Sequence, residues 1–234
     1  MSQLLLLSSS RVHPTGFLEH CREAIAAHFA GCDEVAFIPY ALANHDHYES
    51  IVQAAFAPIG ISIRSIHHAD NPLEQIQSAK GIFTGGGNTF RLLKTLYDLE
   101  LMPTLRNRIS TGEVPYMGSS AGTNLAGPTI RTTNDMPIVE PPSFEALNLV
   151  PFQLNPHYLD ANPNSTHKGE TRAQRLAEYL EENSTPVVGI REGSWLTVRN
   201  QTCLLGGTTG MVLFRQDSEP LELGPTADLS FLMN

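Results

Sequence analysis

The sequence predicts an α/β fold, a mostly parallel sheet with helices on both faces, and two observations support this. Short apolar runs alternate with segments of helical periodicity through the first half of the 234-residue chain, which is typical of a parallel sheet covered on both sides. The apolar run 114–117 leads directly into Gly118-Ser119-Ser120-Ala121-Gly122. This pattern indicates a strand, a sharp turn and a helix with Ser120 at the apex, a nucleophile elbow.

The predicted elements follow from apolar spacing. The expected strands of the first half span 3–8, 35–39, 61–66, 81–84 and 114–118. The expected helices span 17–29, 48–57, 72–79, 90–97 and 103–110. Asn71 before Pro72 and Glu74 is a good helix start, because Asn can cap the helix and Pro suits its first position.

The second half changes character, because prolines and polar residues are frequent from 127 to 163. Loops of this length are usually functional, so 131–137 and 155–172 are expected to line a site. Thr171 and Gln174 predict a capping box for a helix ending at 182. Closing strands with antiparallel hairpins at the sheet edge are expected at 187–190, 195–199, 202–205 and 211–214. We expect one domain, 1–234, because no linker or repeat interrupts the chain.

Composition excludes several classes of function. A net charge of −9 disfavours nucleic acid and anionic membranes, and no run approaches the ~20 apolar residues of a membrane span. The first residues carry no basic leader, which favours a cytoplasmic location. Cys21, Cys32 and Cys203 form an odd set without C-x-x-C spacing, so reduced thiols are expected. Neither a metal nor an organic cofactor is predicted, and monomer and small homo-oligomer both stay open.

A second glycine cluster, 85–87, follows the predicted strand 81–84 and precedes a helix. In hydrolases built on a parallel sheet, the oxyanion hole takes one N–H from the residue after the nucleophile, here Ala121, and one from a neighbouring loop. Gly86, Gly87 and Asn88 are the candidates for the second donor. A phosphate cradle is the alternative, but neither dinucleotide nor P-loop spacing is present.

A serine nucleophile needs a positioned base, usually histidine, and the chain has nine histidines. His157 is the first candidate because it follows a short predicted strand in the loop-rich region, and His167 is the reserve. A metal at 45–47 is disfavoured, because three consecutive polar residues cannot all face one ion and no further ligands are evident. His67 and His68 are expected to be ordinary solvated or core histidines.

Eight segments carry a family resemblance, namely 4–8, 37–39, 85–90, 120–122, 128–139, 155–157, 167–172 and 192–193. Through them the chain resembles, over nearly its whole length, the peptidase E family of aspartyl dipeptidases, which has a class I glutamine amidotransferase-like fold. The resemblance implies hydrolysis of dipeptides with an N-terminal aspartate, with Ser120 as nucleophile and His157 as base. Ser119 departs from the family, which commonly has an aromatic residue there.

The resemblance leaves the third member of the triad open, because Asp135 and Glu192 both match family positions linked to this role. We favour Glu192, which follows a predicted buried strand, and expect Asp135 to shape the substrate loop or bind the substrate ammonium. An acidic dipeptide also requires a cation. Arg172 is the first choice by its place in the resembling stretch, and the other candidates are Lys168, Arg131 and Arg191. A cyanophycinase-like hydrolase and a non-catalytic binding module are the alternative functions.

Overall fold

The computed structural model describes residues 2–162, 164, 166 and 169–233. In these ranges the strands are β1 Gln3–Leu7, β2 Glu34–Ile38, β3 Ser62–Ser65, β4 Ile82–Thr84, β5 Tyr116–Ser119, β6 Gln153–Tyr158, β7 Val187–Arg191, β8 Ser194–Arg199, β9 Thr202–Gly207, β10 Met211–Phe214 and β11 Leu221–Leu223. The α-helices are α1 Arg22–His28, α2 His45–Phe56, α3 Pro72–Ser78, α4 Thr89–Asp98, α5 Met102–Ser110, α6 Ala121–Asn124 and α7 Arg172–Glu182. Shorter 3₁₀ turns cover Glu19–Cys21, Ala57–Ile59, Ile66–His68 and Ser230–Met233.

The main sheet has seven strands in the order β3-β2-β4-β5-β1-β8-β9. The first five pair in parallel, and β8 and β9 add an antiparallel hairpin to β1. The predicted mostly parallel α/β sheet is therefore confirmed. In this arrangement the carboxyl ends of β4 and β5 lie side by side, which brings the two glycine-containing segments together.

The apolar core lies on both faces of this sheet, as strand β1 shows. Leu4 and Leu6 pack into the cluster on one face, while Leu5 and Leu7 pack into the cluster on the other, and all four are buried. Burying one such side chain contributes about 1.5–3 kcal/mol. A strand with apolar side chains on both faces fits only the interior of a sheet covered by helices.

Two predicted features need correction. The helix expected at 17–29 becomes a 3₁₀ turn followed by α1, because Leu18 adopts a left-handed backbone with φ of 57°. The closing strands do not share one sheet edge. Strands β7 and β10 join β6 and β11 in a second sheet of order β11-β10-β7-β6, and β11 was not predicted.

The predicted helix caps are confirmed. The Asn71 side chain accepts the N–H groups of Leu73 and Glu74 at the start of α3. Thr171 and Gln174 form the reciprocal capping box of α7, so the chain enters that helix at a fixed point, immediately before Arg172.

Among the described residues, no helix combines the length and apolarity that a bilayer crossing requires. Cys21, Cys32 and Cys203 are free thiols, as predicted. Burial raises the pKa of the Cys21 thiol to about 12, so this side chain serves as a small apolar group.

Candidate active site

Ser120 lies at the turn between β5 and α6 with a backbone that L-residues rarely adopt, φ 53° and ψ −108°. Its N–H donates to the Leu7 carbonyl across the sheet, at 3.1 Å, and the Thr123 hydroxyl donates to the same carbonyl at 2.6 Å. Strain of this kind persists only where the surroundings fix it. The predicted strand, sharp turn and helix at Ser120 is therefore the observed geometry.

The glycines on either side of the elbow are required by close packing. A Cβ at Gly118 would lie 2.4 Å from the Gly122 carbonyl oxygen, and a Cβ at Gly122 would lie 2.1 Å from the Thr84 carbonyl oxygen. Both separations are far below van der Waals contact. The turn can pass between β4 and β5 only because these two positions lack side chains.

His157 occupies a bulge in β6, where the pairing with β7 shifts between Pro156 and Tyr158. Its φ of 56° turns the side chain out of the strand, and its N–H donates to the Ser8 hydroxyl at 2.9 Å. Ser8 in turn donates to the Ile190 carbonyl at 2.8 Å. Bulges commonly re-aim a side chain beside a site, and here the bulge directs the imidazole toward the elbow.

The imidazole of His157 connects the elbow to a carboxylate. Its Nε2 is 2.9 Å from Ser120 Oγ, and its Nδ1 is 2.5 Å from Glu192 Oε1. Glu192 lies in the two-residue turn between β7 and β8, and its carbonyl accepts the Thr209 hydroxyl at 2.6 Å. The serine, the imidazole and the carboxylate thus form one continuous hydrogen-bonded chain.

Asp135, the other carboxylate considered for the triad, contacts different groups. Its Oδ2 accepts the Thr89 N–H at 2.7 Å, the Thr89 hydroxyl at 2.5 Å and the Thr133 hydroxyl at 3.2 Å. Thr89 is the first residue of α4, so the carboxylate satisfies free donors at a helix start. Among the described residues Asp135 has no hydrogen bond to His157, whereas Glu192, the acid favoured from the sequence, does.

The glycine loop lies directly beside the elbow. A Cβ at Gly86 would be 3.0 Å from Ser120 Cβ and 3.7 Å from Ser120 Oγ. Three N–H groups of this loop already have acceptors: Gly85 donates to Ile38, Gly86 donates to the Tyr48 hydroxyl and Asn88 donates to Ala41. Two of the three predicted candidates for the second oxyanion donor, Gly86 and Asn88, are thereby removed.

Two backbone donors near Ser120 remain free. Within the described part of the chain, the N–H groups of Gly87 and Ala121 have no hydrogen-bond acceptor. Gly87 has φ of 137°, and a Cβ there would lie 2.5 Å from the Ala41 carbonyl oxygen. The loop conformation that leaves this N–H free thus depends on glycine.

The predicted cations have different surroundings. Arg172 is half-buried at the start of α7 and lines an open cavity of about 360 Å³. Burial lowers the pKa of Arg172, and the charge of Asp135 acts in the opposite direction, so these two side chains lie within electrostatic range. Lys168, and the reserve base His167, lie outside the described residues.

Two other arginines are held elsewhere. Arg131 stacks over the Phe144 ring at 5.3 Å and lines a separate cavity. Arg191 forms two hydrogen bonds to Asp160 and a further pair to Glu222, and these carboxylates raise its pKa. Of these three arginines, Arg172 is the one that interacts electrostatically with Asp135, whose carboxylate bonds to Thr89 after the glycine loop.

Sequence reasoning missed two residues that position the site, Ser8 and Tyr48. Ser8 holds the backbone of the His157 bulge, and Tyr48 holds Gly86. Both act through hydrogen bonds to backbone groups distant in sequence, which no local motif signals. No local motif signals that Asp46 lies beside His67 and His68 either, because α2 and the turn after β3 are distant in the chain.

The chain is similar to known proteins over nearly its full length. Residues 4–206 match Peptidase family S51. The chain is 53% identical to Peptidase E of Streptomyces coelicolor, over 99% of this chain and 95% of that protein. It is 47% identical to a Probable alpha-aspartyl dipeptidase of Drosophila melanogaster, over 98% of this chain and 97% of that protein.

Solved structures share the fold. A putative peptidase E protein from Listeria monocytogenes superposes with a TM-score of 0.68 at 22% identity, over 89% of this chain and all of that one. A peptidase from an acI-B1 Actinobacterium gives a TM-score of 0.72 at 19% identity, over 99% and 97% of the two chains. The family match and the near full-length relatives together show that this chain belongs to peptidase family S51.

Proposed function

We propose that the protein is a serine dipeptidase that hydrolyses dipeptides with an N-terminal aspartate. The observation that carries this proposal is the hydrogen-bonded chain from Glu192 through His157 to Ser120, beside two free backbone N–H groups. The names of the relatives, a peptidase E and a probable alpha-aspartyl dipeptidase, supply the substrate class.

The chemistry begins with activation of the serine. Glu192 accepts the Nδ1–H of His157, which leaves the Nε2 lone pair facing Ser120 Oγ. As Oγ attacks the aspartyl carbonyl carbon, Nε2 takes the hydroxyl proton and the carboxylate stabilises the resulting imidazolium. Ser120 is thus the nucleophile, His157 the general base and Glu192 the orienting acid.

The carbonyl oxygen becomes negatively charged in the tetrahedral intermediate. The N–H groups of Ala121 and Gly87 are the donors assigned to it, because the other loop donors are already bonded. The imidazolium then gives its proton to the leaving amine, and the peptide C–N bond breaks. Water, deprotonated by His157, attacks the acyl-enzyme and releases aspartate.

Recognition of the substrate requires opposite charges for its two ends. Arg172 is assigned to the aspartyl carboxylate, because a guanidinium binds a carboxylate through two parallel hydrogen bonds. Asp135 is assigned to the α-ammonium, since its Oδ1 receives no hydrogen bond from the described residues. A cytoplasmic location stays a prediction, which the three free thiols support.

Hydrolysis of Asp-Leu, measured beside Leu-Leu and Asn-Leu, tests this function. We expect cleavage of Asp-Leu alone, abolished in a folded Ser120→Ala variant. Cleavage of β-aspartyl or longer aspartyl substrates in its place would indicate a cyanophycinase-like enzyme. Failure to hydrolyse any aspartyl substrate, or to react with a serine-directed phosphonate, would support a binding module.

A further inference from the structure

A second cluster of imidazole and carboxylate groups lies where the first turns of α2 meet the 3₁₀ turn after β3. His67 Nε2 is 2.9 Å from Asp46 Oδ1. His68 Nε2 is 3.4 Å from the same oxygen and 2.9 Å from Glu49 Oε2. One ligand atom from each of Asp46, His67 and His68 lies within 4.8 Å of the other two, so three donor atoms converge from two elements. Glu49, three residues after Asp46 on α2, contacts His68 from the same helix face.

The two nitrogens of the His67 ring face different partners. Nδ1 is 2.6 Å from the Ser65 hydroxyl oxygen, and that hydroxyl donates to the Phe37 carbonyl at 3.4 Å. Nε2 is 2.9 Å from Asp46 Oδ1. In the tautomer with its proton on Nδ1, the ring donates to Ser65, and Nε2 is available to bind a metal ion together with Asp46.

We propose that Asp46, His67 and His68 form a binding site for a divalent transition-metal ion of the Zn²⁺ type, with Glu49 beside His68 as a supporting carboxylate. Imidazole nitrogen and carboxylate oxygen are common Zn²⁺ ligands, whereas Mg²⁺ and Ca²⁺ prefer oxygen alone. Bonds of about 2.0–2.1 Å in a tetrahedron place ligand atoms about 3.3 Å apart. The separations from Asp46 Oδ1 to the Nε2 atoms of His67 and His68, 2.9 Å and 3.4 Å, are close to that spacing.

Charge and orientation also suit a metal ion. Asp46 and Glu49 place two carboxylates beside the imidazoles of His67 and His68. Glu49 Oε1 accepts the Ser65 N–H at 3.0 Å, which turns Oε2 toward His68, and Ser65 fixes the ring of His67. Partners of this kind orient metal ligands and are typical of metal sites. The ion would join α2 to the turn after β3.

This site is independent of the proposed dipeptidase function, because it uses none of Ser120, His157 and Glu192. Its test is isothermal titration of the chelator-washed full chain with ZnCl₂, and with MgCl₂ in parallel. Asp46→Asn and His68→Gln are the test variants, since both side chains are exposed and their replacement spares the core. His47→Gln is the matched control, an exposed histidine on the same helix outside the cluster.

We expect wild type and His47→Gln to bind one Zn²⁺ in preference to Mg²⁺ at the cluster. Loss of one ligand in Asp46→Asn or His68→Gln should weaken that binding by at least about tenfold. The visible spectrum of the Co²⁺-loaded protein should show a four-coordinate site in wild type that is lost in His68→Gln. Absence of Zn²⁺ binding in wild type, or binding that is unchanged in both test variants, would overturn the proposal.

Discussion

Two serine–histidine–carboxylate arrangements occur in the part of the chain that the structure describes. In one, His157 bonds to Ser120 and Glu192, and in the other His67 bonds to Ser65 and Asp46. The two ring nitrogens have opposite partners in the two arrangements. His157 uses Nε2 toward its serine and Nδ1 toward its carboxylate, whereas His67 uses Nδ1 toward Ser65 and Nε2 toward Asp46. The same three side-chain types thus occur in opposite order around the ring.

The serines differ more than the histidines. Ser120 lies on a strained turn beside two free N–H groups. Ser65 ends β3 with ordinary extended backbone, its N–H is taken by Glu49 and its hydroxyl donates to Phe37. An attacking oxygen needs a free path to the substrate and donors for the developing oxyanion. The backbone around the serine, and not the side-chain triad alone, distinguishes a candidate nucleophile from a structural hydroxyl.

Removal of each serine hydroxyl gives the largest expected contrast. Ser120→Ala should lower kcat/KM for Asp-Leu by about 10⁴-fold or more, because the nucleophile is lost. Ser65→Ala should leave the activity within about twofold of wild type in assays that contain a chelator, since this hydroxyl only supports the His67 ring. Steady-state kinetics of both variants, with circular dichroism to verify folding, measures the difference.

Zn²⁺ titrations should give the opposite result: Ser65→Ala should lower the affinity for Zn²⁺, and Ser120→Ala should leave it unchanged. A large loss of hydrolysis in folded Ser65→Ala, or retained hydrolysis in Ser120→Ala, would contradict the distinction between the two clusters.

The acids give the next largest contrast. Glu192→Gln should lower kcat by about 10³-fold, because the amide presents a donor to Nδ1 or fails to stabilise the imidazolium. Asp135→Asn tests the rival assignment. It should raise KM, because the carboxylate assigned to the substrate ammonium is lost, and weaken the hydrogen bonds that Thr89 donates at the end of the glycine loop. Its effect on kcat should be smaller, because among the described residues Asp135 has no hydrogen bond to His157.

Separate kcat and KM values for the two acid variants decide between the assignments. A kcat loss in Asp135→Asn that exceeds the loss in Glu192→Gln would reverse the order proposed here.

These contrasts also show how far the sequence leads. Apolar alternation predicted the parallel strands and the Gly118–Gly122 spacing predicted the elbow, because both depend on neighbours in sequence. The division of the last strands between two sheets depends on where β7 pairs, and the positive φ of His157 depends on a bulge against β7. Neither carries a local signal. Asp46 and His67 meet for the same reason, since only the packing of α2 beside β3 joins them.

A substitution in the glycine loop after β4 is expected to have a smaller effect on kcat. Gly87→Ala should reduce kcat by about 10²-fold, because a Cβ 2.5 Å from the Ala41 carbonyl oxygen displaces the free N–H. Gly31→Ala is the matched control, also at positive φ but with nothing within 4 Å of its Cβ. It should cost about 1 kcal/mol of stability with no change in kcat. Equal kcat values for the two variants would show that Gly87 does not position an oxyanion donor.

The smallest effect is expected at Tyr48, which lies on α2 between Asp46 and Glu49 and so borders both clusters. Burial raises the pKa of Tyr48 to about 12, so the neutral hydroxyl accepts the Gly86 N–H at 2.7 Å. Tyr48→Phe leaves that buried N–H without an acceptor, and the free energy of unfolding in urea should fall by about 1–3 kcal/mol. Tyr40→Phe is the control, because among the described residues the Tyr40 hydroxyl has no hydrogen bond, and its loss should change stability by less than about 0.5 kcal/mol.

Since Gly86 borders Ser120, Tyr48→Phe should also lower kcat several-fold without weakening Zn²⁺ binding by more than about twofold. A combined loss of hydrolysis and metal affinity would instead mean that α2 couples the two clusters, and that they do not act independently.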